Sequence, residues 1–429
     1  MKALTSTIKK IRTAHGVREY RLQNGLRVLY RREKSAPVVA VCVTFHVGSR
    51  NEAAGHTGAT HILEHLLFKD SEKFNKASGN AITDYLEWLG AYLNATTWLD
   101  RTNYFEMLPA DKLEEALALE ADRLRGSQFN GTDLSSEMTV VRNEYERSRN
   151  NPFELLDEEV VAAAFTMHPY RIPTIGLKED IEASTAAKLR EFYDTFYWPD
   201  NATLTVIGDV PFKTVEKLVL KPFGPIPSSP HTIPRLTVKE PAQKKLRTVR
   251  LKKPMGVSIA ELLYKAPHGR DKEFLPLYMA VMILAGGFSS RLQKSLVDTG
   301  LAAELMSFCH PLHDPGMITF TAHVAGGIAP EQAMSAMRRE IAAFAKQGPT
   351  QGELSRAKER ILANFSVERD GVLNEVRVIS EAVAAGNWQL AYRAEAAVKK
   401  MTVPAVARAA ARYLTPKGET AGILYDQHN

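Results

Sequence analysis

Only two cysteines, Cys42 and Cys309, occur in 429 residues, too few for a disulfide framework. Cys42 lies inside the apolar run Val38-Val39-Ala40-Val41-Cys42-Val43 and reads as a small buried hydrophobe; Cys309 reads the same way. Long apolar runs are also missing. Those around Val38–Val47 and Leu277–Leu284 fall far short of the ~20 residues that a membrane-spanning helix needs. The opening stretch MKALTSTIKKIRTAHGVREY is basic but has neither an apolar core nor a small-residue cleavage site. The expectation is therefore a soluble cytoplasmic protein with no membrane partner, or a periplasmic or organellar one if a leader has been removed. Nor does one sign of charge dominate. Fifty-five basic against 49 acidic residues leave +6, weaker than a nucleic-acid footprint over so large a surface, so no nucleic-acid partner is expected.

What remains is a globular composition, 45% hydrophobic and 24% charged. Arg18–Leu22 and Leu26–Tyr30 flank Asn24-Gly25, a hairpin signal, and Val38–Val47 is a β-branched run suited to a central strand. Helical spacing begins at Thr57 and returns at Asn80–Leu89, Leu113–Arg125 and Ser135–Arg149. Strands and helices alternate, which gives a mixed α/β or α+β class.

Five prolines between Pro222 and Pro234, with Pro241 beyond them, mark a linker. Residues 1–221, 222–241 and 242–429 are the expected N-terminal domain, linker and C-terminal domain. The two halves follow a similar course of strands, apolar helix, strand pair and late charged helix. The late helices begin near Glu137 and Glu353, an offset of 353 − 137 = 216, consistent with duplication of one domain.

The chemistry is concentrated in His61-Ile62-Leu63-Glu64-His65. On a helix, positions i and i+4 share a face and i+3 lies beside them. Two imidazoles can then hold one cation while a carboxylate stands next to bound water, the inverted form of the zincin arrangement. Chance produces this pattern in roughly one such sequence in fifty. A catalytic zinc keeps an open position and needs a third protein ligand. A carboxylate or imidazole on a nearby helix would serve, and Glu137 and Glu144 lie two turns apart on one helical face, with Val140 and Val141 between them expected to face a core.

Together with Thr57-Gly58-Ala59 before it and Glu137…Val140-Val141…Glu144 after it, the motif resembles the pitrilysin/insulysin family of zinc peptidases. Leu93-Asn94-Ala95-Thr96, Thr102 and Tyr104, Gly208-Asp209-Val210, Phe223–Pro227 and Ser290-Arg291-Leu292 extend the likeness over the chain. The length is similar to that of the short, two-domain branch, which includes mitochondrial processing peptidase subunits. The resemblance implies an α+β fold of two homologous domains, each a mostly antiparallel sheet covered by helices. It implies that His61, His65 and Glu144 bind Zn2+, that Glu64 is the general base, and that Glu137 supports the site. Asn94, Ala95 and Thr96 would lie on an edge strand that receives an extended peptide by β-augmentation. The C-terminal domain would bind no metal, since Phe274–Leu284 stands where a metal helix belongs.

Two departures from the family pattern stand out. Phe68-Lys69-Asp70-Ser71 replaces a phenylalanine followed by Gly-Thr, expected to be a tolerated loop change. In addition, Leu296–Glu304 lacks the Arg and Tyr, seven residues apart, that often hold the scissile carbonyl. Losing such a donor forfeits ~3 kcal/mol, about 10²-fold or more in rate. A dimer is therefore expected, with a homologous metal-free subunit or a second copy supplying the pair. The alternative is a non-catalytic structural or partner-activating subunit.

Overall fold

The computed structural model describes residues 7–427, so the first six residues of the basic N-terminal stretch lie outside it. The chain forms two compact units. The first is built on a seven-stranded sheet of β1 (Ile8–Ala14), β2 (Val17–Leu22), β3 (Arg27–Arg32), β4 (Val38–Phe45), β5 (Tyr92–Thr97), β6 (Thr102–Pro109) and β7 (Ala202–Gly208). Their order is β1-β2-β3-β7-β4-β6-β5. Only β3 and β7 pair in parallel; the other neighbours are antiparallel. The apolar run expected as a central strand is β4, held between β7 and β6 and buried from Val39 onward. Asn24-Gly25 closes the β2–β3 hairpin with Gly25 at φ +92°.

The second unit has five strands, β8 (Arg247–Lys253), β9 (Ile259–Lys265), β10 (Ala302–Cys309), β11 (Met317–Val324) and β12 (Glu419–Asp426). They run in the order β10-β11-β9-β12-β8, with β12 and β8 alone parallel. Placing β8, β12, β9, β11 and β10 on β3, β7, β4, β6 and β5 reproduces every pairing and its direction. Duplication is thus written in the topology as well as in the spacing of the late helices.

The units are not the two halves of the chain. Glu144–Ile172 packs with the second unit and Glu368–Ala391 with the first, so boundaries at 221 and 241 follow the chain but not its packing. Helices α1 (Ala59–Leu66), α2 (Ile82–Trp88), α3 (Leu113–Gly126) and α4 (Gly131–Arg149) precede the crossing helix α5 (Pro152–Ala164). Leu155, Leu156, Val160 and Val161 of α5 are buried, and the helix packs on β8, β9 and β12. Its approach is so close that a Cβ on Gly422 would lie 2.2 Å from Val160. In the other direction, helix Val372–Ala384 lies on β4, β6 and β7. Ion pairs Arg31–Glu375 and Arg101–Glu381 fasten it to the first sheet, the latter at 2.6 Å. An amphipathic stripe says that a face must be covered, but not by which sheet. A second correction concerns Pro222, expected in the linker. It ends helix Phe212–Phe223 instead, and the irregular connection runs from there to Arg247.

Candidate metal centre

Strand β4 leads through Gly48, where a Cβ would sit 2.3 Å from the carbonyl of Trp98, into the short turn Ser49–Asn51 and then to α1. Gly58 begins α1 at φ +87° and has no side chain to cap it. Glu52 fills that role: its carboxylate oxygens accept from the backbone N–H of Gly58 at 2.8 Å and of Thr60 at 2.7 Å. Burial pushes the Glu52 carboxyl up to about 7, opposed by Thr60 and the Gly58 N–H. Just outside the helix, Thr57 is held by Asp180 through its backbone N–H at 3.1 Å and its hydroxyl at 2.7 Å. Ile62, Leu63 and Leu66 bury the inner face of α1, which leaves His61, Glu64 and His65 on the other side.

The two imidazoles face each other edge-on, with ring centroids 4.8 Å apart. Helix α4 brings in Glu144, and one donor atom from each of His61, His65 and Glu144 lies within 4.8 Å of the others. Among the described residues this is the one cluster of three or more His, Cys, Asp or Glu side chains able to share a cation. Two imidazole nitrogens and one carboxylate oxygen form the donor set of a catalytic zinc with an open position. Burial, aided by neighbouring His65, pushes His61 down to about 4. Its ring is neutral at physiological pH, the form that offers a lone pair.

Glu137, one helical face with Glu144, accepts from His65 Nδ1 at 3.1 Å and from Lys69 Nζ at 2.6 Å. Burial acts to raise Glu137, but Lys69 and His65 outweigh it and hold the carboxyl below its usual range. A charged carboxylate on the second nitrogen of a candidate ligand fixes the ring's tautomer and orientation. Val141 is fully buried, as expected; Val140 is 40% exposed, against expectation. Val140 is one 100° step round from its neighbour, and α4 buries only a narrow stripe.

Glu64 lies on α1 between the two histidines. Burial is the largest influence on it and raises its carboxyl, while Thr97, His65 and Arg101 act in the opposite direction. Strand β5, carrying Asn94, Ala95 and Thr96, pairs with β6 alone and is the sheet's edge. The carbonyl of Thr96 accepts from Arg101 at 2.8 Å.

Comparison with known proteins bears on this arrangement. Residues 27–178 match the family model for insulinase (peptidase family M16), and residues 183–361 match that for the peptidase M16 inactive domain. A zinc protease, PqqE, of Helicobacter pylori is 33% identical over 354 residues, covering 80% of this chain and 78% of the relative. The chain belongs to the M16 peptidase family. Within it, the probable mitochondrial-processing peptidase subunit beta of Arabidopsis thaliana is 28% identical over 221 residues, 52% of this chain and 41% of that one. A crystal structure of a protease from Helicobacter pylori superposes with a TM-score of 0.90 at 27% identity, over 98% of this chain and all of that one. The two-sheet α+β architecture is that of the family.

Among the described residues, no cluster of metal-ligating side chains lies in the second domain. Helix Phe274–Ala285, at the place of α1, carries apolar side chains almost throughout and lies in the unit's core. Sequence reasoning did not find Glu52, Lys69 or Asp180. Lys69 belongs to the departure taken as a tolerated loop change, yet it holds Glu137. The partners of Glu52 and Asp180 are backbone groups and Thr57, contacts that leave no periodic signal.

Proposed function

We propose that this M16 family member is a zinc metalloendopeptidase acting on peptides or small unstructured polypeptides. The observation that carries this reading is the convergence of His61, His65 and Glu144 with Glu64 on the same helix. The three side chains would hold zinc, which when bound supplies a Lewis acid that acidifies water and polarises a carbonyl. Glu64 takes the proton from the attacking water and returns it to the leaving amine. Burial, which raises its carboxyl above the ordinary value, makes it a stronger base than an exposed glutamate. Glu137, charged and bound to Lys69, keeps His65 turned toward the cation.

The substrate main chain would add to β5. The two edges of the first sheet differ in a way that supports this. Strand β1 reads Ile-Lys-Lys-Ile-Arg-Thr-Ala, with three cations that discourage strand addition, whereas β5 reads Tyr-Leu-Asn-Ala-Thr-Thr and carries no charge. Recognition through main-chain groups tolerates many side chains. The donor pair missing from Leu296–Glu304 is assigned to a partner subunit, homologous or identical, which makes this chain the catalytic member of a dimer.

The test is Glu64→Gln beside wild type, each purified alone and with a coexpressed homologous subunit. The variant should retain zinc by metal analysis and lose peptide hydrolysis by at least 10²-fold. Full activity from the lone chain would refute the need for a partner. The absent Arg/Tyr pair favours a second reading, a non-catalytic subunit. Equal inertness of wild type and variant with every partner would establish it.

A further inference from the structure

We propose that Glu52 is a positioning residue: it locks the helix carrying His61 and His65 to the hairpin that ends the substrate strand. This deepens the peptidase reading and rests on it. A helix begins with backbone N–H groups that have no partner inside the helix, and a Ser, Thr, Asp or Asn at its first position ordinarily satisfies one of them. Helix α1 begins at a glycine and lacks that device. Instead, one buried carboxylate six residues upstream takes two of these donors in a fork, Oε2 from Gly58 and Oε1 from Thr60. Thr60 immediately precedes His61 in the same turn.

The other end of the lock is equally well defined. Glu52 closes the turn Ser49–Asn51, with its own N–H donating to the carbonyl of Ser49. That turn is bound to the β5–β6 hairpin by the N–H of Ser49 on the carbonyl of Trp98 and the N–H of Arg50 on that of Leu99, both at 3.1 Å. Arg50, itself buried, pairs with buried Asp100 at 3.1 Å. From there Arg101 reaches back to the carbonyl of Thr96 on β5. A continuous path of short polar contacts therefore runs from the edge strand, through Glu52, to the first turn of α1. At the opposite end of that helix, Glu137 and Lys69 restrain His65. Each imidazole thus has a buried carboxylate governing it, one through the ring nitrogen and one through the helix backbone.

The length and orientation of this path fix where His61 stands relative to a peptide laid along β5. Glutamine at position 52 would have nearly the same shape but only one acceptor. Its NH2 would confront either the Gly58 or the Thr60 N–H, so the first turn would have to shift. Ligand geometry is sensitive to displacements well below 1 Å, and loss of a supporting carboxylate of this kind weakens metal binding by about 10- to 100-fold.

The experiment uses the full-length chain as wild type, Glu52→Gln and Glu52→Asp. Zinc affinity is read by competition with a chromogenic chelator, ligand geometry by the visible absorption of the cobalt(II)-loaded protein, and turnover, with the coexpressed homologous subunit present, on an internally quenched peptide. Glu52→Gln should bind zinc about 10- to 100-fold more weakly, with shifted cobalt bands and a fall in kcat larger than any rise in KM. Glu52→Asp keeps a carboxyl group with two oxygens, so it should recover part of the affinity and move the bands back toward wild type. If Glu52→Gln does not fold, Glu52→Asp carries the same measurements. Zinc affinity and cobalt bands identical to wild type in the folded variants would overturn the proposal, even if thermal stability dropped. Should wild type, assayed with the homologous subunit, bind zinc yet cleave nothing, the peptidase reading fails while affinity and spectra still decide the role of Glu52.

Discussion

A single carboxylate can be read in three ways in this chain, depending on what lies against it. Glu64 is pushed up by burial, Glu137 is held down by Lys69 and His65, and Glu353 is held down to about 2, first of all by Arg291. Arg291 grips Glu353 in a fork of 2.7 and 2.9 Å. Thr350 and Glu353 also bond each other reciprocally at the start of helix Gln351–Glu368, a capping box. The Ser290-Arg291-Leu292 stretch that contributed to the family likeness thus has a structural task. Since the folded proton affinity of Glu353 is depressed from 4.5, its contribution to stability is complete above pH ~4.5 and is lost as the pH falls toward ~2. Glu353→Gln should cost about 1–3 kcal/mol at pH 7, and its difference from wild type should shrink to nothing across that window in urea melts. A constant difference at all pH values would contradict the ion-pair account. At this scale the pairing of His61 and His65 was legible, because the helical period puts them on one face, whereas Glu144 was singled out as a candidate ligand through the family resemblance. Glu52 was not legible, because its partners are backbone N–H groups that every residue possesses.

Among the elements, β5 shows how much a strand's setting adds to its sequence. The stretch Leu93–Thr96 could be recognised, but its place at the sheet edge depends on β6 pairing with β4 on its other side, a long-range choice that no local pattern encodes. If peptides add to β5 by main-chain hydrogen bonds, then N-methylating two alternate amides of a good substrate should raise KM by roughly 10- to 30-fold, at about 1 kcal/mol for each lost bond. Methylation on the face turned away from β5 should leave KM nearly unchanged. Equal effects from the two sets would mean that the peptide does not bind as a strand. Helix Val372–Ala384 teaches the same lesson. Its amphipathic period is plain, and Asn103 donates to Ser380 on it at 3.0 Å. The donor strand is nonetheless 277 residues away in sequence, and no spacing rule reaches that far.

The whole molecule, among its described residues, carries one candidate metal site on a duplicated plan. Adding the offset of 216 to Glu144 gives position 360, and an arginine stands there, donating to the carbonyl of Gly286. The second copy thus has a cation where the first has a candidate ligand. Duplication could be read from the spacing of Glu137 and Glu353, but the exchange of α5 and helix Val372–Ala384 could not. That exchange predicts the fate of the halves. Residues 1–228 alone would lack the helix that covers β4, β6 and β7, and residues 229–429 alone would lack α5 on β8, β9 and β12. Each should expose an uncovered apolar sheet and fail to fold, whereas coexpressed halves should associate and recover native circular dichroism and zinc binding. A half that unfolds cooperatively by itself would refute this. The two traded helices begin 372 − 152 = 220 residues apart, nearly the duplication offset, so they are corresponding parts. Two identical ancestors that each lent a helix to the other would need a partner to be stable at all, at a concentration set by their own affinity. The irregular connection from Phe223 to Arg247 turns that encounter into an intramolecular one, with an effective concentration that dilution cannot lower. Tethered copies can diverge without losing their hold on each other.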